Sequence, residues 1–382
     1  MSSKETHKKL AIFTLVVHKK KDGQYYGYAP YVSEMNMWTS HFDEVIVVGP
    51  LSSSTNLEKI DLNYSHGNLS LVEVPVFHIK SFLGVLKLVA SLPGMFFKMY
   101  KVMRKADYFH FRCPSNVSAV AAVVQIFFPK KPKSTKYAGN WDPNSNQPIG
   151  YRFQKRLLAN RLLTKNMKVL VYGEWPNQSK SVVPFMSATY RDNEKLTFQK
   201  RDYTQRLKFV FIGAMVVGKR PLLTVKIIEA LRLQGFDAEL HMFGDGDLMD
   251  EVKQYVEDNQ LSDAIEIYGN RNKETVKDCI QDAHFTILPS KSEGWPKAIA
   301  EGMFFGAIPV STRISCLPWI LNEGERGILI SDELDEAVDL ISTELRKGNE
   351  YLNAMAEKSL NWAQQYTLDR LEQEIEKVVT SN

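Results

Sequence analysis

Cysteine is scarce in this chain: Cys113, Cys279 and Cys316 are the only three in 382 residues, and they lie far apart. Three thiols cannot all pair within one chain, and no two share a metal-ligand spacing, so neither a disulfide framework nor a cysteine-bound metal site is expected. They read as free thiols of a cytosolic protein. The longest apolar stretch, Phe82 to Phe97, is broken by Lys87 and by Pro93-Gly94. It falls short of the ~20 apolar residues that a spanning helix needs. The apolar run Leu10 to Val17 is followed at once by Lys19-Lys20-Lys21, without a small-residue cleavage site, and reads as a first strand rather than a signal peptide. Net charge is also slight, +4 from 48 basic and 44 acidic residues. That is too little to point to nucleic acid without a concentrated patch or a reader motif, and neither is found. Repeats and low-complexity tracts are absent as well.

What is present is the composition of a globular protein, 44% hydrophobic, 24% charged and 11% aromatic. The length suits two domains of roughly 200 residues each. Short apolar runs rich in β-branched residues alternate with helix-length segments, the pattern of parallel sheets covered by helices on both faces. Strands are predicted at 10–18, 44–48, 71–74, 107–111, 134–138 and 168–172, then at 207–212, 238–243, 264–268, 284–288, 307–311 and 327–330. Residues 176–205, with Pro176, Pro184 and the charged run from Tyr190 to Lys195, read as a linker. The expected division is a domain of 1–190, a domain of 191–365 and a final helix within 366–382. That helix carries Leu368, Leu371, Ile375 and Val378 at helical spacing. Basic residues crowd the first half, from Lys80, Lys87, Lys98 and Lys101 through Arg104 and Lys105 to Lys130, Lys131 and Lys133. Between 80 and 105 they mingle with apolar residues as in helices that rest on anionic membranes. The plainer reading is a core helix with snorkelling lysines.

Open doubly wound sheets bind ligands beyond the carboxyl ends of their strands, so the residues after each strand are the ones to read for chemistry. After 207–212 come Gly213, Gly218, Lys219 and Arg220, then Pro221 in the first turn of the next helix. Backbone and two cations at a helix amino terminus make a seat for a diphosphate, against the plainer reading of a solvated turn. After 238–243 comes Gly244-Asp245-Gly246-Asp247. Its paired carboxylates invite a metal, but a tight turn is the expected reading, since no third acidic ligand is nearby. After 284–288 comes the most informative edge, Pro289-Ser290-Lys291-Ser292-Glu293-Gly294-Trp295-Pro296-Lys297, leading into a helix that carries Glu301. The helix amino terminus offers free N–H groups and partial positive charge to phosphate, while the two carboxylates accept hydrogen bonds from sugar and ribose hydroxyls. Lys297 in the first turn opposes the helix dipole unless an anion sits nearby. Arg313 to Cys316, after 307–311, carry no expected chemistry.

These edges come in a recognisable order. Phe211-Ile212-Gly213 with Gly218-Lys219, Gly244-Asp245-Gly246, Ser292-Glu293-Gly294 with Glu301, and Gly306-Ala307-Ile308-Pro309-Val310 together resemble the family-4 retaining glycosyltransferases, whose E-x7-E signature the two glutamates match. The resemblance covers 207–330 closely and the remainder by architecture. It implies an α/β GT-B fold: two Rossmann-like doubly wound domains facing across a cleft, with the carboxy-terminal helix crossing back to the first. The first domain would bind the acceptor and the second a nucleotide sugar. Glu293 would hold hydroxyls of the donor sugar, Glu301 the ribose and Lys219 the diphosphate, with help from backbone around Gly294. Gly213, Gly244, Asp245, Ser292, Trp295, Pro296 and Lys297 complete the expected donor contacts.

The chain departs from the family pattern at several places. The family usually has arginine where Ala214 stands, a charge that Arg220 would replace. Lys19 to Tyr28 occupies the place of a glycine-rich turn and retains only Gly23 and Gly27. His110-x-Arg112 stands where the family often shows His-x-His. Arginine cannot act as a base but can hold a departing phosphate, and His110 reads equally as a core residue. Asn116 and Trp141, after strand ends, are expected on the acceptor side, with packing the alternative for Trp141. The implied reaction is sugar transfer from a nucleoside diphosphate sugar to a hydroxyl of a saccharide or lipid-linked saccharide, with retention and without a metal or other cofactor. The expected setting is polysaccharide or glycoconjugate synthesis in the cytoplasm, with peripheral contact at the inner face of the membrane. A catalytically silent nucleotide-sugar-binding or partner subunit and a nucleotide-sugar epimerase remain open alternatives.

Overall fold

The structure is a computed structural model that describes residues 8–58, 60–75 and 82–380, by backbone alone at 82–89. It divides into two compact units, residues 1–185 with 372–382, and residues 186–371. The first runs β1 (Lys9–Phe13), β2 (Lys19–Lys21), β3 (Gln24–Tyr28), α1 (Ala29–Thr39), β4 (Glu44–Gly49), β5 (Asp61–Asn63), β6 (Leu69–Glu73), α2 (Phe82–Lys105), β7 (Tyr108–Cys113), α3 (Asn116–Val124), β8 (Lys133–Tyr137), α4 (Ile149–Ala159), β9 (Met167–Tyr172) and β10 (Val182–Phe185).

Seven of these strands form one parallel sheet, in the order β10-β9-β8-β7-β1-β4-β6. Continuous burial of β1 and β4 follows from helices covering both faces, which is why these strands read as unbroken apolar runs. Phe13 and Phe111 stack at 5.2 Å in the core, with Phe109 edge-on to Phe13 at 6.4 Å. The strand expected at 10–18 ends at Phe13, and the chain re-enters regular structure as the β2–β3 hairpin, which joins β5 in a separate antiparallel sheet. Asp22 and Gly23 turn that hairpin at φ 50° and 79°, the left-handed pair that two-residue hairpins require. The helix α2 continues through Pro93, the residue that breaks the apolar stretch in sequence. Lys80 lies outside the described residues, as does the Lys87 side chain. Among the described residues no helix is long and apolar enough to cross a membrane.

β8 is fully buried although its sequence, Lys-Ser-Thr-Lys-Tyr, looks half polar. Lys133 reaches the carbonyls of Lys131 and Lys165 at 2.9 and 2.8 Å. Lys136 pairs with Glu34 of α1 at 2.9 Å, and Glu34 also binds Arg112 at 2.7 Å. Burial alone would raise the Glu34 carboxyl, but the Arg112 and Lys136 charges hold it to about 2. His110 stacks on Trp38 at 4.1 Å and contacts Ser134 Oγ at 2.8 Å; burial, reinforced by Arg112, lowers it to about 3. Burial likewise lowers His18 to about 4, its Nε2 lying 2.8 Å from the Tyr64 hydroxyl.

These three groups act in the same direction. At a pH below the ordinary histidine and carboxylate values the unfolded chain takes up protons that the folded chain refuses, so stability falls as pH drops. The window runs from the ordinary histidine value of 6.5 down to about 2, where Glu34 itself takes up a proton. A melting temperature that declines steadily between those limits is expected, and a flat profile would contradict it. Glu34→Gln, which strands two buried cations, is expected to cost about 3–5 kcal/mol at neutral pH by denaturant unfolding.

The second unit runs β11 (Leu207–Ile212), α5 (Pro221–Leu233), β12 (Ala238–Phe243), α6 (Met249–Asp258), β13 (Ile265–Gly269), α7 (Lys273–Gln281), β14 (Phe285–Leu288), α8 (Lys297–Phe304), β15 (Ile308–Thr312), α9 (Leu317–Ile320), β16 (Ile328–Ile330), α10 (Leu334–Leu345) and α11 (Asn349–Ala363). α12 (Leu368–Thr380) follows, and its residues from 372 onward group with the first unit. Six parallel strands lie in the order β13-β12-β11-β14-β15-β16. Phe209 and Phe285 stack at 4.6 Å at its centre.

Residues 176–205 are not a bare linker. β10 pairs with β9 inside them, and Pro184 is tolerated because β10 is the sheet's edge. Tyr190 packs on Phe304 and Phe305 at 5.0 and 4.7 Å, and Arg201 donates to the carbonyls of Gln281 and Phe305 at 2.9 and 2.8 Å. The boundary between the two units falls inside this segment, after Phe185, and the residues beyond it are anchored in the second unit by Tyr190 and Arg201.

Candidate functional site

In the second unit the chain passes from β11 to β12 and β13 on one side, then returns to place β14, β15 and β16 on the other. The carboxyl ends of β11 and β14 are therefore the topological switch point, where open α/β sheets place their ligands. Two loops emerge there, Gly213 to Arg220 and Pro289 to Pro296, and the backbone N–H of Lys291 donates to the Gly218 carbonyl at 2.9 Å. Lys219 Nζ makes an ion pair with Glu293 Oε1. Glu293 is 8% exposed, and its backbone N–H donates to Ser315 Oγ at 3.1 Å. Cys316 Sγ lies 3.1 Å from the Gly294 carbonyl. Ser315 and Cys316, to which sequence reasoning gave no role, thus hold the glutamate loop in place. A polar residue just past β15 was the available signal.

Pro296 caps α8 and Lys297 opens it, so Gly294 to Pro296 lead straight into the helix amino terminus, with no capping side chain. Ser292 and Lys297 are exposed there, while Trp295 and Pro296 are buried. The arrangement offers helix-terminal N–H groups with no intrahelical acceptor, a cation and a carboxylate within one loop system, the complement of a sugar attached to a phosphate.

Lys219 and Arg220 diverge despite being consecutive. Arg220 caps α5 in the left-handed conformation, φ 53°, and its guanidinium pairs with Asp332 beyond β16 at 2.9 Å. It does not share the Glu293 contact. Gly244 and Asp245 buttress the Gly213 loop: Gly213 N donates to Phe243 O and Met215 N to Asp245 O, each at 3.0 Å. Gly244 has φ 127°, and a Cβ there would lie 1.9 Å from the Gly213 carbonyl oxygen. Asp245 and Asp247 are exposed, and Asp245 Oδ1 accepts the Gly246 N–H at 2.7 Å. Among the described residues no group of three or more His, Cys, Asp or Glu side chains is placed to hold a metal ion.

Glu301 lies on the second turn of α8 and accepts a hydrogen bond from Thr189 Oγ1 at 2.7 Å. Burial raises its pKa, against the Thr189 bond and the charges of Lys297 and Lys273. Around it stand Tyr190, Trp295, Trp362 and Tyr366, with Trp295 5.6 Å from Tyr366. The free space among them is about 20 Å³, water-sized. A ribose reaching Glu301 would have to shift the Thr189 segment. Thr189 is invisible in a sequence reading because its partner is 112 residues away.

The first unit places its expected residues differently. His110 is fully buried and neutral, as a core histidine is. Arg112 is committed to Glu34. Trp141 is 2% exposed, donates to Gln178 at 3.0 Å and stands edge-on to Tyr137. Gly23 is a hairpin turn residue, and a Cβ on Gly27 would meet Val32 at 3.2 Å. Asn116 opens α3 behind the Ser115 cap.

Known proteins similar in sequence to this chain match it chiefly in the second unit. Residues 192–362 match the family described as glycosyl transferases group 1. An uncharacterized glycosyltransferase of Methanocaldococcus jannaschii is 29% identical over 161 residues, 41% of this chain and 43% of that protein. The amylovoran biosynthesis glycosyltransferase AmsK of Erwinia amylovora is 26% identical over 41% of this chain and 40% of its own length. The match thus spans about two fifths of these relatives. Among solved structures, Anabaena HepE in complex with UDP and glucose aligns over 98% of this chain and 100% of its own, with a TM-score of 0.66 at 14% identity. The sucrose-phosphate synthase of Thermosynechococcus elongatus aligns over 98% of both chains, with a TM-score of 0.65 at 13% identity. The second unit is therefore related to the group 1 glycosyl transferases, and the chain as a whole has the GT-B fold.

Proposed function

We propose that this protein transfers a sugar from a nucleoside diphosphate sugar to an acceptor hydroxyl, with retention of configuration, in the manner of the family-4 enzymes. The Lys219–Glu293 pair at the β11/β14 switch point, beside the amino terminus of α8, carries this reading. Glu293 accepts hydroxyls of the donor sugar, while Lys219 and the helix terminus stabilise charge on the diphosphate as the glycosidic C–O bond breaks. The acceptor oxygen attacks the same face, and its proton passes to the departing phosphate oxygen. No metal is needed for this charge balance, which rests on the lysine and the helix N–H groups.

A role in polysaccharide synthesis is supported by the relatives named for amylovoran and colanic acid biosynthesis. UDP is the first nucleotide to try, because the HepE structures hold UDP and UDP-glucose. The test is release of nucleoside diphosphate from a panel of UDP-, GDP- and ADP-sugars offered with saccharide acceptors. Release with no donor in the panel would sink the reading.

Saccharide or lipid-linked saccharide acceptors fit a cytoplasmic enzyme working at the inner membrane face. Phe97 and Phe127 are 63% and 61% exposed and stand near Phe96, beside the exposed basic residues Lys101, Arg104 and Lys105 of α2. Liposome flotation is expected to recover the protein with anionic but not zwitterionic vesicles. Recovery with neither would remove the membrane contact.

A further inference from the structure

A cavity of about 230 Å³ opens at the carboxyl ends of β14, β15 and β16. Arg220, Ser290, Lys291, Thr312, Arg313 and Asp332 line it, whereas Lys219, Glu293, Trp295 and Glu301 do not. Its three cations face one carboxylate, Asp332, which Arg220 holds at 2.9 Å. The other ion pair at its rim, Arg313 with Glu323, joins side chains 56% and 69% exposed, so water and salt weaken it. Among the described residues no carboxylate lies within ion-pair distance of Lys291.

Ser290 is fully buried, and its hydroxyl has no hydrogen-bond partner among the described residues. Its carbonyl, by contrast, accepts Thr312 Oγ1 at 2.5 Å. A buried hydroxyl almost always has a partner, so an unsatisfied one on a cavity wall asks for something in the cavity.

We propose that this cavity is a subsite for a phosphate monoester carried on a small sugar, distinct from the Lys219–Glu293 site. A phosphate monoester carries about −1.5 to −2 at neutral pH, matching the two uncompensated cations, where a carboxylate would leave one unmatched. Guanidinium groups bind such oxygens in pairs, a contact that Arg313 offers beside Lys291, while Arg220 remains paired with Asp332. The volume is near the lower end of the ~300–1,000 Å³ of small-molecule pockets, which suits one sugar ring with its phosphate. Anion capture here does not depend on the nucleotide-sugar reading.

Isothermal titration calorimetry with glucose 6-phosphate, inorganic phosphate and glucose tests it. Glucose 6-phosphate is expected to bind once per chain, inorganic phosphate more weakly and glucose not at all. Lys291→Gln with Arg313→Gln, both at exposed positions, is expected to weaken the sugar phosphate by about 10-fold or more. Asp332→Asn removes the competing carboxylate and is expected to tighten it. Binding should persist in Lys219→Ala, which alters only the donor site. No binding by the wild type, equal binding of inorganic phosphate, or loss in Lys219→Ala with retention in the double variant would each overturn the assignment. Thermal melts of every variant show that a loss of binding is not a loss of fold.

Discussion

Glu293→Gln is expected to lower kcat/KM for sugar transfer by about 10²–10³-fold, the scale on which removal of one well-placed electrostatic contact acts. The substitution keeps size and removes charge. Glu293 is nearly buried, and its backbone is pinned by Ser315, so the amide has little freedom to find another pose. Lys219 then loses its partner but keeps access to the diphosphate. Lys219→Ala removes the complementary half and should act mainly on the step in which the phosphate departs. Because each residue sets the state of the other, the double variant is expected to lose less than the product of the two single losses. Donor hydrolysis and transfer assays on the three proteins check this. Strict multiplicativity would show that the pair does not work as a unit, and full activity in either single variant would remove that residue from the site.

Gly244→Ala is expected to cost stability and to disturb the Gly213 loop at the same time. A Cβ at this position would sit 1.9 Å from the Gly213 carbonyl oxygen, and φ is 127°, where side chains other than hydrogen are strained. Backbone strain of about 1–3 kcal/mol adds to an overpacking cost of about 1–3 kcal/mol. Relief requires moving the Gly213 loop, so Lys219 is displaced even if the chain still folds. Denaturant unfolding should show a loss of a few kcal/mol, and activity at a permissive temperature should fall with it. Gly23→Ala is a control of a different kind: it too has positive φ, 79°, but nothing lies within 4 Å of the added carbon.

The second unit was readable because its strands are continuous apolar runs and its switch-point loops carry their chemistry in local spacing. Pro221 and Pro296 mark helix starts, and Glu293 and Glu301 fall on one loop–helix element. Contacts that join distant residues leave no such trace. Thr189 against Glu301, Ser315 under Glu293, and Arg220 turned toward Asp332 depend on which loop folds beside which. The first unit was harder for a second reason. β8 hides two lysines in the interior because Glu34 and the carbonyls of Lys131 and Lys165 satisfy them, partners that lie elsewhere in the chain and leave no mark on the sequence of the strand itself. His110, for which a core role was the equal alternative, and Arg112, given a phosphate role by the family resemblance, sit with Glu34 and Lys136 in a buried charged cluster that holds α1 to the sheet.

The most direct measurement is calorimetric titration of the purified protein with nucleoside diphosphate sugars, beginning with UDP-glucose, run in parallel on wild type, Lys219→Ala and Glu293→Gln. One nucleotide sugar should bind the wild type at a single site. Lys219→Ala should lose affinity for both the nucleotide sugar and the free nucleoside diphosphate, whereas Glu293→Gln should lose it for the nucleotide sugar alone. Equal affinity across the three proteins, or no binding by any nucleotide sugar, would contradict a donor site at the β11/β14 switch point.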